Sequence, residues 1–251
     1  MAVYIALAII ALALLTMPVF AVVSRGRPLD PDVARRPTTV LLGYWVRDWV
    51  MWIIAPIERA LISHRVSPDA LNIAGAVFGL AAGIAYSLHS PEAAGCFILA
   101  GGMADIMDGR VARARGLVSS YGEFLDSMLD RFAEVFAFVG LGAYLWHLHF
   151  GLMAVTLAAG SSLLVSYARA KGGLVGVEQH GGIMQRAERL VLLALASLLD
   201  GAVTQAMGWT TGRLLLVVVW VIGVGALLTA LYRTFAIARA LRDEPPGGPA
   251  D

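Results

Sequence analysis

Cysteine is almost absent from this chain of 251 residues, and charged side chains are scarce. The single cysteine, Cys96, lies in an apolar run, so no disulfide can form within the chain and a catalytic thiol is not expected. A net charge of +1 gives no field that would attract nucleic acid. Charged residues make up only 15% of the chain, whereas soluble domains carry about a quarter, so an ordinary soluble domain is disfavoured.

Apolar sequence is what the chain has in abundance, with 59% hydrophobic residues and a mean hydropathy of +0.74. This composition indicates a membrane protein with several spans. Residues 1–24 carry no charge and can span a bilayer, and the lack of a basic start favours a membrane helix over a signal peptide. Six more apolar segments lie at 69–88, 92–113, 120–147, 151–171, 186–206 and 212–240.

Residues 44–64 differ from these spans because Trp45, Trp49 and Trp52 alternate with charged side chains. The pattern predicts an amphipathic helix in the membrane interface with its rings at headgroup level, and packing on the bundle is the alternative. We therefore predict an all-α polytopic membrane protein, with an interfacial juxtamembrane helix, a six-helix transmembrane bundle and one additional N-terminal transmembrane helix. The predicted units are the N-terminal helix 1–24, a cytoplasmic linker 25–43, the bundle 44–242 and a disordered tail 243–251.

Positive charge is concentrated on one side of this seven-span arrangement. Arginines precede the second span, separate the third from the fourth, flank the connection of the fifth to the sixth, and end the last span. The opposite connections carry only Arg213. Since cytoplasmic loops are rich in Lys and Arg, the arginine-rich side is predicted to face the cytoplasm from the cell (inner) membrane, with the N-terminus outside.

Four aspartates lie where the third and fourth spans approach this arginine-rich side. Asp105 and Asp108 are spaced i, i+3, and Asp126 and Asp130 are spaced i, i+4, so each pair shares one helix face. On antiparallel neighbouring helices the four carboxylates can converge. They would repel one another without cations, and the absence of nearby His or Cys favours Mg²⁺ or Mn²⁺. The alternative is a set of interfacial carboxylates paired with the neighbouring arginines.

The spacing of these residues also carries a family resemblance. Asp105-x-x-Asp108-Gly109-x-x-Ala112-Arg113, eight residues, then Gly122-x-x-x-Asp126-x-x-x-Asp130, fills every fixed position of a known signature. The chain thus resembles the CDP-alcohol phosphotransferases, and the resemblance extends over the helical layout of 44–242. Segment 1–40 has no counterpart in the common pattern.

The resemblance implies a transfer reaction in which a CDP-lipid donor gives its phosphatidyl group to an alcohol and CMP leaves. It further implies two divalent ions, Mg²⁺ or Mn²⁺, a substrate drawn from membrane lipid and a homodimer. Its implied metal ligands are Asp105, Asp108, Asp126 and Asp130, the last also being the catalytic base. Its implied donor-binding residues are Asp69, Asp105, Gly109, Ala112, Arg113 and Gly122.

A second group of basic residues bears on the acceptor. The stretches SYARAK (166–171) and QRAERL (185–190), with an arginine inside the last span, resemble phosphatidylinositol-phosphate synthases and their archaeal ether-lipid counterparts. The resemblance implies inositol 1-phosphate as acceptor, its phosphate bound by Ser166, Arg169, Arg186, Arg189 and Arg233. Snorkelling arginines that set topology are the alternative for any one of them.

Other functions remain open at this level. Glycerol 3-phosphate also carries a phosphate, so a phosphatidylglycerophosphate synthase is an alternative enzyme. An intramembrane prenyltransferase is disfavoured because the chain has no Asp-Asp-x-x-Asp motif. A cation transporter is the non-enzymatic alternative, although transport sites lie near the membrane midplane and these carboxylates lie at one edge.

Overall fold

Nine α-helices make up most of the part of the chain that the structure describes, a computed structural model of residues 2–35, 42–179 and 181–243. Within the linker, residues 36–41 fall outside this description, as does the predicted tail beyond Asp243. The helices are α1 Ala2–Val23, α2 Pro31–Arg35, α3 Tyr44–Ser63, α4 Pro68–Ser87, α5 Pro91–Arg115, α6 Ser120–Leu145, α7 Gly151–Leu174, α8 Arg186–Met207 and α9 Arg213–Asp243. The six apolar segments predicted after residue 64 correspond to α4–α9, with ends within three residues.

Helices α4 to α9 form a ring around one apolar core. Helix α4 packs between α5 and α6, α8 packs between α5 and α9, and α7 packs between α9 and α6. Tyr86, Leu141 and Ile222 are among the fully buried side chains of this core. Helices α5 and α6, predicted as direct neighbours, are not closely packed along their length because α4 contacts both of them. The prediction that α5 and α6 are direct neighbours was therefore wrong for most of their length.

The contact between α4 and α6 depends on glycine. A Cβ atom added to Gly83 would overlap the carbonyl oxygen of Phe136, and one added to Gly140 would overlap the carbonyl oxygen of Gly83. Small residues let two helix backbones approach this closely, which gives dispersion contacts along both helices. The position of α6, and therefore of its carboxylates, is fixed against α4 by this contact.

The connection between α5 and α6 is short and well capped. Helix α5 ends at Gly116, whose φ of 64° is the left-handed conformation that glycine adopts without strain. Arg115 donates from Nη1 to the carbonyl oxygen of Val66 at 2.8 Å, which ties this end to the turn before α4. Ser119 then caps α6 by accepting a hydrogen bond from the amide of Gly122. The signature residues on both sides are thereby held at one end of the bundle.

Four of the described helices, α4, α7, α8 and α9, are long and apolar enough to cross a membrane. Helices α5 and α6 have 25 and 26 residues and carry the charged signature between them. In α1, the stretch Leu14–Val23 forms a shorter apolar helix within the part of the chain that the structure describes. The all-α architecture is therefore confirmed, and the count of seven spans stays a prediction.

Helix α1 packs against α3, α5 and α8. The ring of Phe20 is fully buried, 5.5 Å from the ring of Trp45 and 5.7 Å from that of Trp52. Trp49 is also buried, and its Nε1 donates to Thr16 Oγ1 at 3.0 Å. All three rings thus contact α1, although Trp45 keeps 42% exposure. Their position at headgroup level stays a prediction.

The prolines and charges of segment 24–37 predict a loop, but residues 31–35 of it form the short helix α2. Asp30 accepts a hydrogen bond from the amide of Asp32 at 3.0 Å, which caps the first turn, and Pro31 provides a suitable first helical residue. The amide of Asp30 donates to Asp48 Oδ1 on α3, also at 3.0 Å. The start of α2 is therefore attached to the body of the protein.

Candidate active site

Three carboxylates converge where α5 and α6 meet at one end of the bundle. Asp105, Asp126 and Asp130 each place one oxygen within 4.8 Å of the other two. Asp108 is buried beside them, where its carboxyl group interacts with that of Asp126 and accepts a hydrogen bond from the amide of Gly109. The structure therefore brings together the four aspartates whose convergence the helical spacing predicts.

Arg186, at the start of α8, bridges this cluster. Its Nη1 contacts Asp105 Oδ2 at 2.7 Å, and its Nη2 contacts Asp130 Oδ1 at 2.6 Å. Its Nε is buried and has no hydrogen-bond partner among the described residues. The sequence assigns Arg186 to the acceptor, whereas the structure also places its charge against the carboxylates. One positive group thus links the acidic cluster to the predicted acceptor side.

The carboxylate cluster fits a hard divalent cation. Oxygen ligands at about 2.1 Å from Mg²⁺ lie about 3 to 4 Å from one another, so the spacing found here needs only small side-chain adjustments. The donor set of Asp105, Asp126 and Asp130 consists of carboxylate oxygens alone, which suits Mg²⁺ and Mn²⁺ better than softer metals. The residues present therefore fit the cofactor that the signature implies.

A buried ion pair lies one helical turn behind Asp130. Glu134 accepts from Arg189 at 2.7 Å through Nη2 and at 3.2 Å through Nε, and it accepts from Arg131 Nη1 at 2.8 Å. Arg131 also donates to Ser166 Oγ at 2.6 Å. Sequence reasoning missed Glu134 and Arg131, although an acidic residue four positions after Asp130 continues the same face of α6.

The predicted acceptor residues come together where α7, α8 and α9 meet, and Arg189 and Arg233, like Arg186, already bind protein oxygens. Arg189 is 3% exposed and contacts Glu134 and the carbonyl of Met184. Arg233 is also buried and donates to the carbonyl oxygens of Gly181 at 2.9 Å and Val165 at 3.0 Å.

The remaining acceptor candidates are closer to solvent. Arg169 is exposed on α7, and its charge and that of Arg189 act on Arg233. Ser166 is half-buried and accepts from Arg131. Basic groups therefore form a continuous set that runs from the carboxylates to the surface.

The predicted donor-binding residues occupy different positions around the cluster. Arg113 folds over Gly109, since a Cβ atom at Gly109 would lie 3.1 Å from Arg113 Nη1. Ala112 is half-buried on the same turn of α5, and Gly122 is in the first turn of α6. Asp69 lies in the first turn of α4, and no hydrogen bond or ion pair among the described residues joins it to the cluster.

Residues far away in the sequence surround Arg110, beside the cluster. Arg110 contacts Asp30 through both Nη atoms, at 3.0 and 3.1 Å, and Glu58 through Nε at 2.8 Å. Asp32 Oδ2 contacts Arg110 Nη1 at 3.0 Å and Arg113 Nη2 at 2.9 Å. Burial raises the pKa of Asp30, but hydrogen bonds and the charge of Arg110 outweigh it, so that pKa lies below its usual range.

A helical bundle with convergent carboxylates and adjoining arginines at one end can hold a divalent cation and an anionic group together. Residues 65–232 match the family described as CDP-alcohol phosphatidyltransferase. The chain belongs to this family. Its reaction is of the EC 2.7.8 type, a transfer of a substituted phosphate group, and it is an integral membrane protein.

Several proteins with assigned functions are similar over most of their length. Phosphatidylinositol phosphate synthase of Streptomyces avermitilis is 30% identical over 226 residues, which cover 87% of this chain and 89% of the relative. Archaetidylinositol phosphate synthase of Methanothermobacter thermautotrophicus is 33% identical over 172 residues, 63% of this chain and 87% of the relative. The inferred family membership is therefore confirmed.

Solved structures show the same fold. Phosphatidylinositol phosphate synthase of Mycobacterium tuberculosis with CDP-DAG bound has a TM-score of 0.62 at 25% identity, covering 74% of this chain and 93% of that chain. The same synthase in complex with manganese and citrate has a TM-score of 0.65 at 24% identity, covering 78% and 95%.

Proposed function

We propose that this enzyme transfers a phosphatidyl group, or its ether-lipid equivalent, from a CDP-lipid such as CDP-diacylglycerol to inositol 1-phosphate, releasing CMP. The observation that carries the choice of acceptor is the basic set beside the carboxylates, in which Arg186 contacts Asp130 at 2.6 Å. A phosphorylated alcohol bound by these arginines would have its hydroxyl close to that carboxylate. The relatives named above favour an inositol phosphate over other acceptors.

The aspartates would bind the cofactor and act on the acceptor. Asp105, Asp108, Asp126 and Asp130 would hold two Mg²⁺ or Mn²⁺ ions, which when bound neutralise the diphosphate of the donor. Asp130 would also take the proton from the acceptor hydroxyl. The oxygen of that hydroxyl would then form a bond to the lipid-linked phosphorus. The bond from that phosphorus to the CMP oxygen breaks, and CMP leaves with the electron pair.

Donor recognition would use the α5 side of the site. Gly109 and Ala112 leave room for the cytidine diphosphate to approach the helix backbone. Arg113 would contact its phosphates, since its side chain lies over Gly109. Gly122 would line the same space from α6, and Asp69 would approach the nucleotide from α4.

Acceptor recognition would use the basic set on α7, α8 and α9. The Nε of Arg186 is free to donate to a phosphate while both Nη atoms stay on the carboxylates. Arg169 is exposed enough to reach the same anion, and Ser166 offers a hydroxyl. Arg189 and Arg233 would act mainly by holding this framework and by adding positive potential.

Placement in the cell is part of the proposal. The arginine-rich end of the bundle carries the site, so the positive-inside rule puts it on the cytoplasmic side of the inner membrane. There a water-soluble acceptor and a lipid donor can meet. A homodimer is expected from the family resemblance alone.

An acceptor panel tests the proposed function. Purified enzyme with Mn²⁺ and CDP-diacylglycerol is given inositol 1-phosphate, glycerol 3-phosphate, free inositol or serine, and release of CMP is measured. We expect turnover with inositol 1-phosphate that exceeds every other acceptor at least tenfold. Preference for glycerol 3-phosphate would instead identify a phosphatidylglycerophosphate synthase, and CMP release that needs no alcohol would contradict both assignments.

A further inference from the structure

Asp32, which lies outside the segment matching the family, contacts the signature arginine. Its Oδ2 lies 2.9 Å from Arg113 Nη2 and 3.0 Å from Arg110 Nη1. Asp32 precedes the matched residues 65–232 and comes from α2, so the family signature does not predict this contact. The Asp32 carboxylate, from the N-terminal segment, is thus ion-paired with the Arg113 guanidinium, which in the proposed function binds the donor phosphates.

Asp32 is held in this position by neighbouring contacts. Asp30 caps α2, pairs with Arg110 through both oxygens and is attached to Asp48 by its amide. Glu58 on α3 fixes the Nε of Arg110 at 2.8 Å. The contact between Asp32 and Arg113 therefore belongs to an ordered network.

The two parts of the network differ in exposure. The side chains of Arg110 and Asp30 are 14% and 9% exposed, whereas those of Arg113 and Asp32 are 40% and 26% exposed. A solvent-exposed ion pair changes an equilibrium by only about two- to fivefold, because water screens it. Arg113 can therefore exchange Asp32 for a stronger anion, while the more buried pair of Arg110 and Asp30 keeps α2 in place.

We propose that Asp32 sets the affinity for the donor by competing, from within the chain, with the donor diphosphate for Arg113. Two guanidinium groups here face three carboxylates, so the positive charge of Arg113 is already compensated before a donor arrives. A bound diphosphate displaces Asp32 from Arg113, and the cost of that exchange appears in the donor KM. The inference rests on the donor-binding role of Arg113 in the proposed function.

The opposite role predicts the opposite result. If Asp32 served to orient Arg113 for the donor, its removal would raise the donor KM, as for any loss of a positioning contact. If it competes, its removal lowers the donor KM and leaves kcat unchanged, since the reacting groups are not touched. The sign of the KM change therefore decides between the two roles.

Asp32→Asn removes the charge and keeps the size of the side chain. We expect the KM for CDP-diacylglycerol to fall about two- to fivefold, with kcat within twofold of wild type and the acceptor KM unchanged. Direct binding of CDP-diacylglycerol to the Mn²⁺-loaded protein should tighten by the same factor. A donor KM that is unchanged or higher overturns the inference.

Two further variants show whether the effect passes through Arg113. In an Arg113→Ala background, Asp32→Asn should leave donor binding unchanged, because the guanidinium for which Asp32 and the donor compete is gone. Asp243→Asn, which breaks the exposed pair with Arg239 on the same chain, is the matched control and should leave the donor KM at its wild-type value. An equal gain in donor affinity with and without Arg113 would contradict the proposal.

Failure of this inference can be told apart from failure of the proposed function. Wild-type protein that releases no CMP with any acceptor contradicts the proposed function. Active wild-type protein whose Asp32→Asn variant has an unchanged donor KM contradicts the competition alone. An unfolding temperature of Asp32→Asn within a few degrees of wild type shows that the comparison is made between folded proteins.

Discussion

Asp130 connects two networks of side chains. On one side it shares Arg186 with Asp105, and on the other it lies one turn before Glu134, which holds Arg189. Its two oxygens lie 2.6 Å from Arg186 and 3.9 Å from Arg131, and these contacts orient the proposed base. In the proposed reaction both Asp105 and Asp130 hold metal but only Asp130 takes the proton, and substitution separates the two tasks.

Asp130→Asn should abolish turnover while the donor still binds, because the amide cannot accept the proton but occupies the same volume. Asp105→Asn should weaken binding of both Mn²⁺ and donor, since it removes a ligand charge. We expect CMP release by Asp130→Asn to fall at least a thousandfold, with the affinity for CDP-diacylglycerol within about tenfold of wild type. Near-normal turnover in Asp130→Asn would show that another group is the base.

Glu134 is a structural partner whose loss should be costly. Glu134→Gln leaves Arg189, which is almost fully buried, without its charged partner. Breaking a buried ion pair on one side destabilises a protein by about 3 kcal/mol. Chemical denaturation of the detergent-solubilised variant should show a loss of that size, against less than about 0.5 kcal/mol for Asp243→Asn at the exposed pair. Equal losses in both variants would contradict the buried-pair interpretation.

At the scale of helices, the closest contact is the one between α4 and α6. Gly140→Ala puts a methyl group onto the backbone of Gly83, and the two helices must separate to accept it. We expect a loss of about 2 to 3 kcal/mol and reduced turnover, since α6 carries Asp126 and Asp130. Gly160→Ala on α7 is the control, because among the described residues no atom beyond its own helix backbone lies within 4 Å of the added atom. A neutral Gly140→Ala would show that the helices are not in this close contact.

The docking of α2 should depend on pH through Asp30. Its pKa lies below the ordinary 3.8, so the stabilisation from its contact with Arg110 is complete above the unfolded pKa and is lost as pH falls through the folded one. Thermal unfolding of wild type and Asp30→Asn between pH 7 and pH 3 measures this. The difference between them should be largest near neutral pH and shrink below about pH 4. A difference that stays constant would rule out Asp30 as its source.

Much of this architecture follows from the sequence, because helix ends in this chain are marked locally. Apolar runs, Pro at the start of α4 and α5, and Gly116 after α5 define boundaries that the structure reproduces closely. Local spacing also predicts that each pair of aspartates shares one helix face. The meeting of the two pairs depends on how α4 holds α5 and α6. What the sequence could not show is pairing over long separations. Arg113 and Asp32 are 81 residues apart, and no periodicity indicates that they meet.

The same limit applies to the acceptor side. Five polar residues were predicted there from resemblance, but whether an arginine faces a ligand or a carbonyl depends on the packing of three helices. Arg233 donates to carbonyl oxygens on α7 and in the loop before α8, which only the folded chain brings together. The assignment of these residues to the acceptor therefore stays a prediction, whereas family membership is confirmed.

At the scale of the whole molecule, one end of the bundle carries both the site and most of the arginines. The opposite end is closed by a buried carboxylate, Asp200, which accepts from the amides of Gly212 and Leu215 and from the hydroxyl of Tyr144. The buried carboxylate at that end is thus used to hold the start of α9, whereas the convergent aspartates lie at the other end. The orientation of the protein then decides which compartment supplies the acceptor.

The near-absence of cysteine makes this orientation measurable. In a Cys96→Ala background, Val118→Cys and Glu178→Cys place one thiol at exposed positions on the site side, and His149→Cys and Trp209→Cys place one on the opposite side. A membrane-impermeant maleimide added to intact cells should label the opposite-side pair, and it should label the site-side pair only after the cells are opened. Site-side labelling in intact cells would place the active site outside the cytoplasm, where the cell's pool of CDP-lipid headgroups and phosphorylated alcohols could not reach it.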